Sequence, residues 1–220
     1  MPDLNFQVEG VEPQKFAAEP LLLFKLRVSE ALNNGSAPTS VHTVALRCQV
    51  RIEPGRRTYQ AAERERLLGL FGAPERWGQT LKPMLWSHVS VVVPSFEGEV
   101  VVDLPIPCSF DFSLAATRYF SALDGGDLTL GFLFSGTIFF ATEEGDLQVR
   151  PIAWDKEASF RLPASTWREL MDVFHPNTAW LSIRRDVFDR LDRYKTEQGM
   201  PTWERALERL LATAEEATTP

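Results

Sequence analysis

Apolar and polar residues alternate most regularly between Val41 and Ile52. Val44, Leu46, Cys48, Val50 and Ile52 take one phase, and Ala45, Arg47, Gln49 and Arg51 take the other. A period of two marks a strand with one buried and one wetted face, as in antiparallel sheets. The same period sets Leu22, Phe24, Leu26 and Val28 against Lys25 and Arg27. It recurs through Phe6 and Val8, through Val89, Val91 and Val93, and through Val100, Val102, Leu104 and Ile106. Pro105 and Pro107 place that last strand at a sheet edge, because proline donates no ladder hydrogen bond. Leu128 to Phe140 is apolar in both phases, which predicts a central strand. A turn at Gly145-Asp146 follows, then a return strand from Leu147 to Ile152 that Ala158, Phe160 and Leu162 extend.

Elsewhere the period becomes helical. Tyr59, Ala62, Arg66, Leu67, Leu70 and Phe71 share one side of a helix, with Glu63, Arg64 and Glu65 opposite. Phe71 to Pro83 reads as a loop, and Ala115 to Leu123 as a short helix stopped by Gly125-Gly126. Pro163 to Phe174 predicts a helix capped by Ser165, with Trp167, Leu170, Met171 and Phe174 as its apolar face. The fold class that follows is α+β: an antiparallel β-rich domain over residues 1–177, built as a sandwich or a curved sheet.

A tail over residues 178–216 has a different rhythm. Trp180 to Arg184 reads as a short strand. Asp186 is placed to cap a helix whose Val187, Phe188, Leu191 and Tyr194 fall on one face. Gly199 and Pro201 stop it. Thr202 can cap a second helix, whose stripe is Trp203, Ala206, Leu207, Leu210 and Leu211.

A strand, "LDRY", a glycine and a capped helix, in that order, resemble a ribbon-helix-helix module. In that family the strand pairs with its copy from a second chain, and the ribbon lies in the DNA major groove. The resemblance implies a homodimer through the tail. It turns Leu181 and Ile183 inward and makes Trp180, Ser182, Arg184 and Arg185 the candidate DNA or dimer contacts. Between Thr178 and Pro220, however, seven Lys or Arg stand against eight Asp or Glu. DNA binding rests on phosphate neutralisation by a basic face. The other reading is a helical hairpin that packs on the main domain or pairs two chains. An Arg184 paired within its own chain would end the DNA reading.

Two further resemblances carry expectations. FQVEGVE, PLLLFKLRV, VHTVALRCQVRI and the acidic helix after them are similar to SecB-like chaperone domains, which implies a curved antiparallel sheet with helices outside. LFGAPERW, DLPIPCSFDF, LFSGTIFF and TWRELMDVFHPN make the whole chain similar to an uncharacterised bacterial family. That family is associated with gene neighbourhoods of nickel–iron hydrogenases, which implies accessory or assembly work.

Composition narrows the function classes. The 220 residues are 44% hydrophobic and 24% charged, ordinary for a globular protein, and the net charge of −7 argues against nucleic acid or an anionic membrane as the partner. No apolar run approaches a membrane span, and the N-terminus MPDLNFQVEG has no leader pattern, so the expected location is cytoplasmic. Cys48 and Cys108 form no C-x-x-C pair; each reads as a buried thiol, and spacing alone leaves a disulfide between them open. His42, His88 and His175 stand apart, each without a ligand at metal spacing. Cys108 with His88, or Asp103 with Asp111, could be imagined as reactive pairs, but no nucleophile elbow, phosphate loop or dinucleotide fingerprint accompanies them. No catalytic residue, metal or cofactor is expected.

Trp77, Trp86, Trp154 and Trp167 lie at element edges, beside Arg76, Lys156 and Arg168. Such Trp–Arg neighbourhoods suit a protein interface, and equally suit the closing of a β-sandwich core. The leading expectation is a non-enzymatic interaction or assembly protein, chaperone-like, with a protein partner or client. The second is a ribbon-helix-helix DNA-binding regulator whose β domain senses a signal.

Overall fold

The computed structural model describes residues 2–31, 38–108, 114–142, 144–178, 181 and 183–218. The chain divides into two compact units, Met1–Pro176 and Asn177–Pro220.

The first unit is α+β, and every strand pairing among the described residues is antiparallel. Strands β1 (Leu4–Pro13), β2 (Leu21–Glu30) and β6 (Glu99–Pro107) form one sheet, in the order β1-β2-β6. Strands β4 (Met84–Val93), β3 (Ser40–Ile52) and β7 (Asp127–Ala141) form the second, with short β5 (Phe96–Glu97) paired to β3. Across β7 from β3 lie β8 (Leu147–Pro151), on the C-terminal half of β7, and β9 (Glu157–Pro163), on its N-terminal half. We call these sheets A and B. The prolines of β6 lie in an edge strand, and β7 is central, as their sequences predict.

The sheets pack face to face, so of the two arrangements the alternation allows, the structure has the sandwich. Leu22, Phe24, Leu26 and Val28 from sheet A are fully buried against Val44, Leu46, Cys48, Val50, Ile52 and Phe132 from sheet B. Ring contacts cross the gap: Phe6 stacks on Phe134 at 4.4 Å and Phe24 meets Phe132 edge-on at 5.4 Å. One glycine is sterically required. Gly136 in β7 has φ of +140°, and a Cβ there would lie 2.0 Å from the Ala45 carbonyl oxygen on β3.

Helices α1 (Ala61–Phe71), α2 (Trp77–Thr80), α3 (Leu114–Ser121) and α4 (Ala164–Phe174) complete this unit. Four details differ from the pattern. The return strand expected from Leu147 through Leu162 is broken into β8 and β9, because the chain leaves the ladder between them. The Phe71 to Pro83 segment contains α2. The N-cap of α4 is Pro163, so Ser165 lies inside the first turn. Glu63, placed by the helical period on the wet side of α1, is 2% exposed. Its carboxylate pairs with Arg57 at 2.5 Å and accepts the Gln60 and Asp124 backbone N–H groups at 3.0 Å each. The buried carboxylate is tolerated because it is paired and accepts two backbone N–H groups, although the Arg57 Nε is buried without a hydrogen-bond partner among the described residues. Arg57 also donates to the Gly125 carbonyl at 2.7 Å, pinning the α3–β7 loop to the start of α1.

The second unit is a helical hairpin: α5 (Arg185–Glu197) and α6 (Trp203–Thr218). Gly199 takes the left-handed conformation, φ +62°, and the Met200 N–H donates back to the Lys195 carbonyl, closing α5. Thr202 Oγ1 accepts the Arg205 N–H at 3.3 Å, the cap its position suggests. Asp186 does not cap α5; Arg184 is the N-cap, and Asp186 lies in the first turn, where a negative charge favours the helix dipole. Phe188 packs on Trp203 at 5.2 Å, and Lys195 lies over the same indole at 5.0 Å.

Candidate interaction surface

The two sheets turn very different faces outward. On sheet A, each cation of β2 lies between carboxylates from both neighbouring strands. Lys25 pairs with Glu12 of β1 and Asp103 of β6, each at 2.7 Å. Arg27 pairs with Glu9 of β1 and Glu99 of β6. These contacts raise the Lys25 ammonium above its ordinary value, Asp103 contributing most, and they satisfy the face within the chain.

On sheet B the corresponding cation has no such company. Arg47 of β3 lies in register with Ser90 of β4 and Ser135 of β7, and it makes no ion pair among the described residues. The next outward row is His88, Gln49 and Leu133, and the row on the other side is Val92, Ala45 and Thr137. Between β8 and β9 the chain leaves the ladder. Ile152 tucks inward, its N–H donating to the Gly136 carbonyl at 3.0 Å, and ladder contact resumes where the Phe134 N–H donates to the Lys156 carbonyl at 2.9 Å. Trp154, at the tip of that excursion, is 95% exposed. Its ring borders a groove of about 370 Å³, whose side-chain walls include Arg47, Gln49, His88, Ser90 and Leu133.

The four candidate tryptophans therefore separate. Trp77 donates to the Gly72 carbonyl at 2.9 Å and meets Tyr59 and Phe71 edge-on. Trp86 packs on Phe24 and Phe120, and Trp167 stacks on Phe120 at 5.1 Å. All three are buried and have no face for a partner. Their rings fill an aromatic cluster where the helices meet the sandwich, and the cation beside Trp167, Arg168, donates to the Leu123 carbonyl. Trp154 alone of the four is open to solvent. The alternation pattern gives no sign of Phe16, in the β1–β2 connection, which is also 95% exposed.

In the tail, Trp180 and Ser182 lie outside the described residues. Leu181 and Ile183 belong to no strand, and both are exposed in the single chain. Arg184 pairs with Asp186 of its own chain at 3.0 Å, both side chains largely exposed, and Arg185 begins α5. Ala206 is the one buried residue of this unit among those described, while Phe188, Leu207, Leu210 and Leu211 are exposed.

The imagined reactive groups do not converge. Cys48 and Cys108 are both free and buried, and burial pushes each thiol up to about 12. The Cys108 thiol donates to the Ile106 carbonyl, whereas His88 faces solvent from β4. Asp103 is engaged by Lys25, and Asp111 lies outside the described residues. Tyr59 and Tyr119 share a hydroxyl–hydroxyl hydrogen bond of 2.8 Å, and burial raises both phenols, which keeps them neutral. Among the described residues no three His, Cys, Asp or Glu side chains gather as metal ligands, and no helix is long and apolar enough to cross a membrane.

No curated protein and no solved structure matches the chain. A family profile does match, and over essentially the whole length, residues 1–219. The sandwich and the tail thus fall within one family unit, and the chain belongs to the family of unknown function DUF6084.

Proposed function

We propose that this protein is a non-enzymatic interaction or assembly protein, acting through protein–protein contacts and associating through its tail. The observation that carries the reading is the unburied stripe of the hairpin. A unit of this size gains stability from a core, a staple or a partner. Here Phe188 packs on Trp203 and Ala206 is buried, but the Leu207, Leu210 and Leu211 side chains remain open. The partner that fits without further assumption is the same stripe on a second copy, in a two-fold arrangement.

The DNA-binding alternative is not carried further. It needed Arg184 free, and Arg184 is paired with Asp186.

The test is the solution mass of the full chain and of a version ending at Pro176. A full chain at twice 24.9 kDa with a monomeric truncation supports association through the tail. Two monomers overturn it, and so does a truncation that still dimerises.

A further inference from the structure

The outward face of sheet B has the chemistry of a docking groove for one kind of partner. Arg47 stands between two serines, whereas the cations of β2 each stand between two carboxylates. The walls of the groove hold a guanidinium, an imidazole and serine hydroxyls and, among the described residues, no carboxylate. Trp154 adds a broad apolar ring whose neighbours leave it uncovered. Burying an indole removes roughly 150–250 Å² from water, a large driving force held in reserve at one point. Beyond Ser90, the Val92 and Ala45 side chains continue the face as an apolar hollow of about 160 Å³.

We infer that this groove binds an acidic segment of a protein partner, one that carries a carboxylate beside an apolar side chain. The carboxylate pairs with the Arg47 guanidinium, which offers a two-pronged donor face. Ser90 and Ser135 supply further hydroxyl donors on either side of Arg47. The apolar side chain lies on the Trp154 ring, against Leu133. An exposed Trp beside an uncompensated Arg is the combination that dominates binding energy at protein interfaces. The inference rests on the reading that the protein works through protein contacts, but not on the tail.

The probe is a fluorescently labelled, blocked hexapeptide of alternating Glu and Leu, with the Gln-Leu version as control, followed by anisotropy on the full-length protein. The acidic peptide binds, and its affinity falls as salt rises. Arg47→Ala and Trp154→Ala each weaken it about tenfold. Both positions are exposed, so the variants keep the wild-type thermal transition. Arg27→Ala on sheet A leaves binding unchanged. Equal binding of the Gln-Leu peptide, or wild-type affinity in Arg47→Ala, overturns the proposal. So does a fall in solution mass on Arg47→Ala, which would make the groove a contact between copies. A monomeric full chain that still binds the acidic peptide would sink the tail reading and leave this one standing.

Discussion

The β unit and the tail are written in the same code and reach opposite ends. In the β unit, residues of one phase meet a facing layer. Leu22, Phe24, Leu26 and Val28 find Val44, Leu46, Cys48 and Val50 across the sandwich and vanish from solvent. In the tail, α5 and α6 carry stripes as regular as any strand, yet Leu211 is 63% exposed and, among the described residues, Ala206 alone is buried. Periodicity states which face wants cover and says nothing about what provides it. Where the chain supplies two layers, amphipathic pattern becomes core. Where it supplies one hairpin, much of the same pattern remains a surface in the single chain.

The sharpest way to break this contrast is to break the β unit at its closest backbone approach. Gly136→Ala would put a methyl against the Ala45 carbonyl, which belongs to the central strand pair and cannot swing away as a side chain would. The expected loss is at least about 4 kcal/mol, in the range where a special backbone conformation is violated, and the cooperative thermal transition disappears. A variant that melts like the wild type would mean that β3 and β7 have room to separate.

A smaller effect is expected where the helices join the sandwich. Glu63→Ala leaves the Arg57 guanidinium buried without its counter-charge and the Gln60 and Asp124 N–H groups without an acceptor. Breaking a buried pair from one side costs about 3 kcal/mol, read as a shift of the urea midpoint at constant slope. Glu63→Gln retains an acceptor and loses less. The tail gives the contrast: Arg184→Ala removes an ion pair that is open to solvent and leaves the midpoint in place. If the two substitutions cost the same, burial is not what distinguishes the pairs.

Most strands of the β unit and both tail helices were legible because their periods are clean and their stops are chemically explicit. Pro105 and Pro107 marked an edge, and Gly199 marked the end of α5. Glu63 was not legible. A carboxylate on a helix reads as wetted unless its partner is known, and Arg57 comes from the segment before the helix. The tryptophans show the same limit. Trp77, Trp86, Trp154 and Trp167 have similar local surroundings in sequence, and their fates are set by tertiary neighbours. Phe120 covers Trp86 and Trp167 from α3, while Trp154 lies on a connection that leaves the ladder and is almost fully exposed. The bare state of Arg47 was equally hidden, because it depends on which strands pair. Ser90 and Ser135 flank it only once β4 and β7 are placed on either side of β3.

The gentlest probe of the contrast is alkali. Cys48 and Cys108 are held neutral by burial, with pKa values pushed up to about 12 from an ordinary 9.0. In the unfolded chain both thiols ionise above pH 9, so the unfolded state then binds fewer protons than the folded one. Stability therefore falls with rising pH between about 9 and 12, by up to about 1.4 kcal/mol per pH unit for each thiol. Lys25 acts in the same direction: its raised pKa contributes stability below its unfolded value, and that contribution is lost as pH climbs through the folded value. Urea titrations at pH 8 and pH 10 should show the β-unit midpoint dropping, with Cys48→Ala removing about half of the pH-dependent part that the thiols contribute. A midpoint that holds steady from pH 8 to pH 10 would mean that water reaches the thiols and that the sandwich is less tightly closed than its buried core implies.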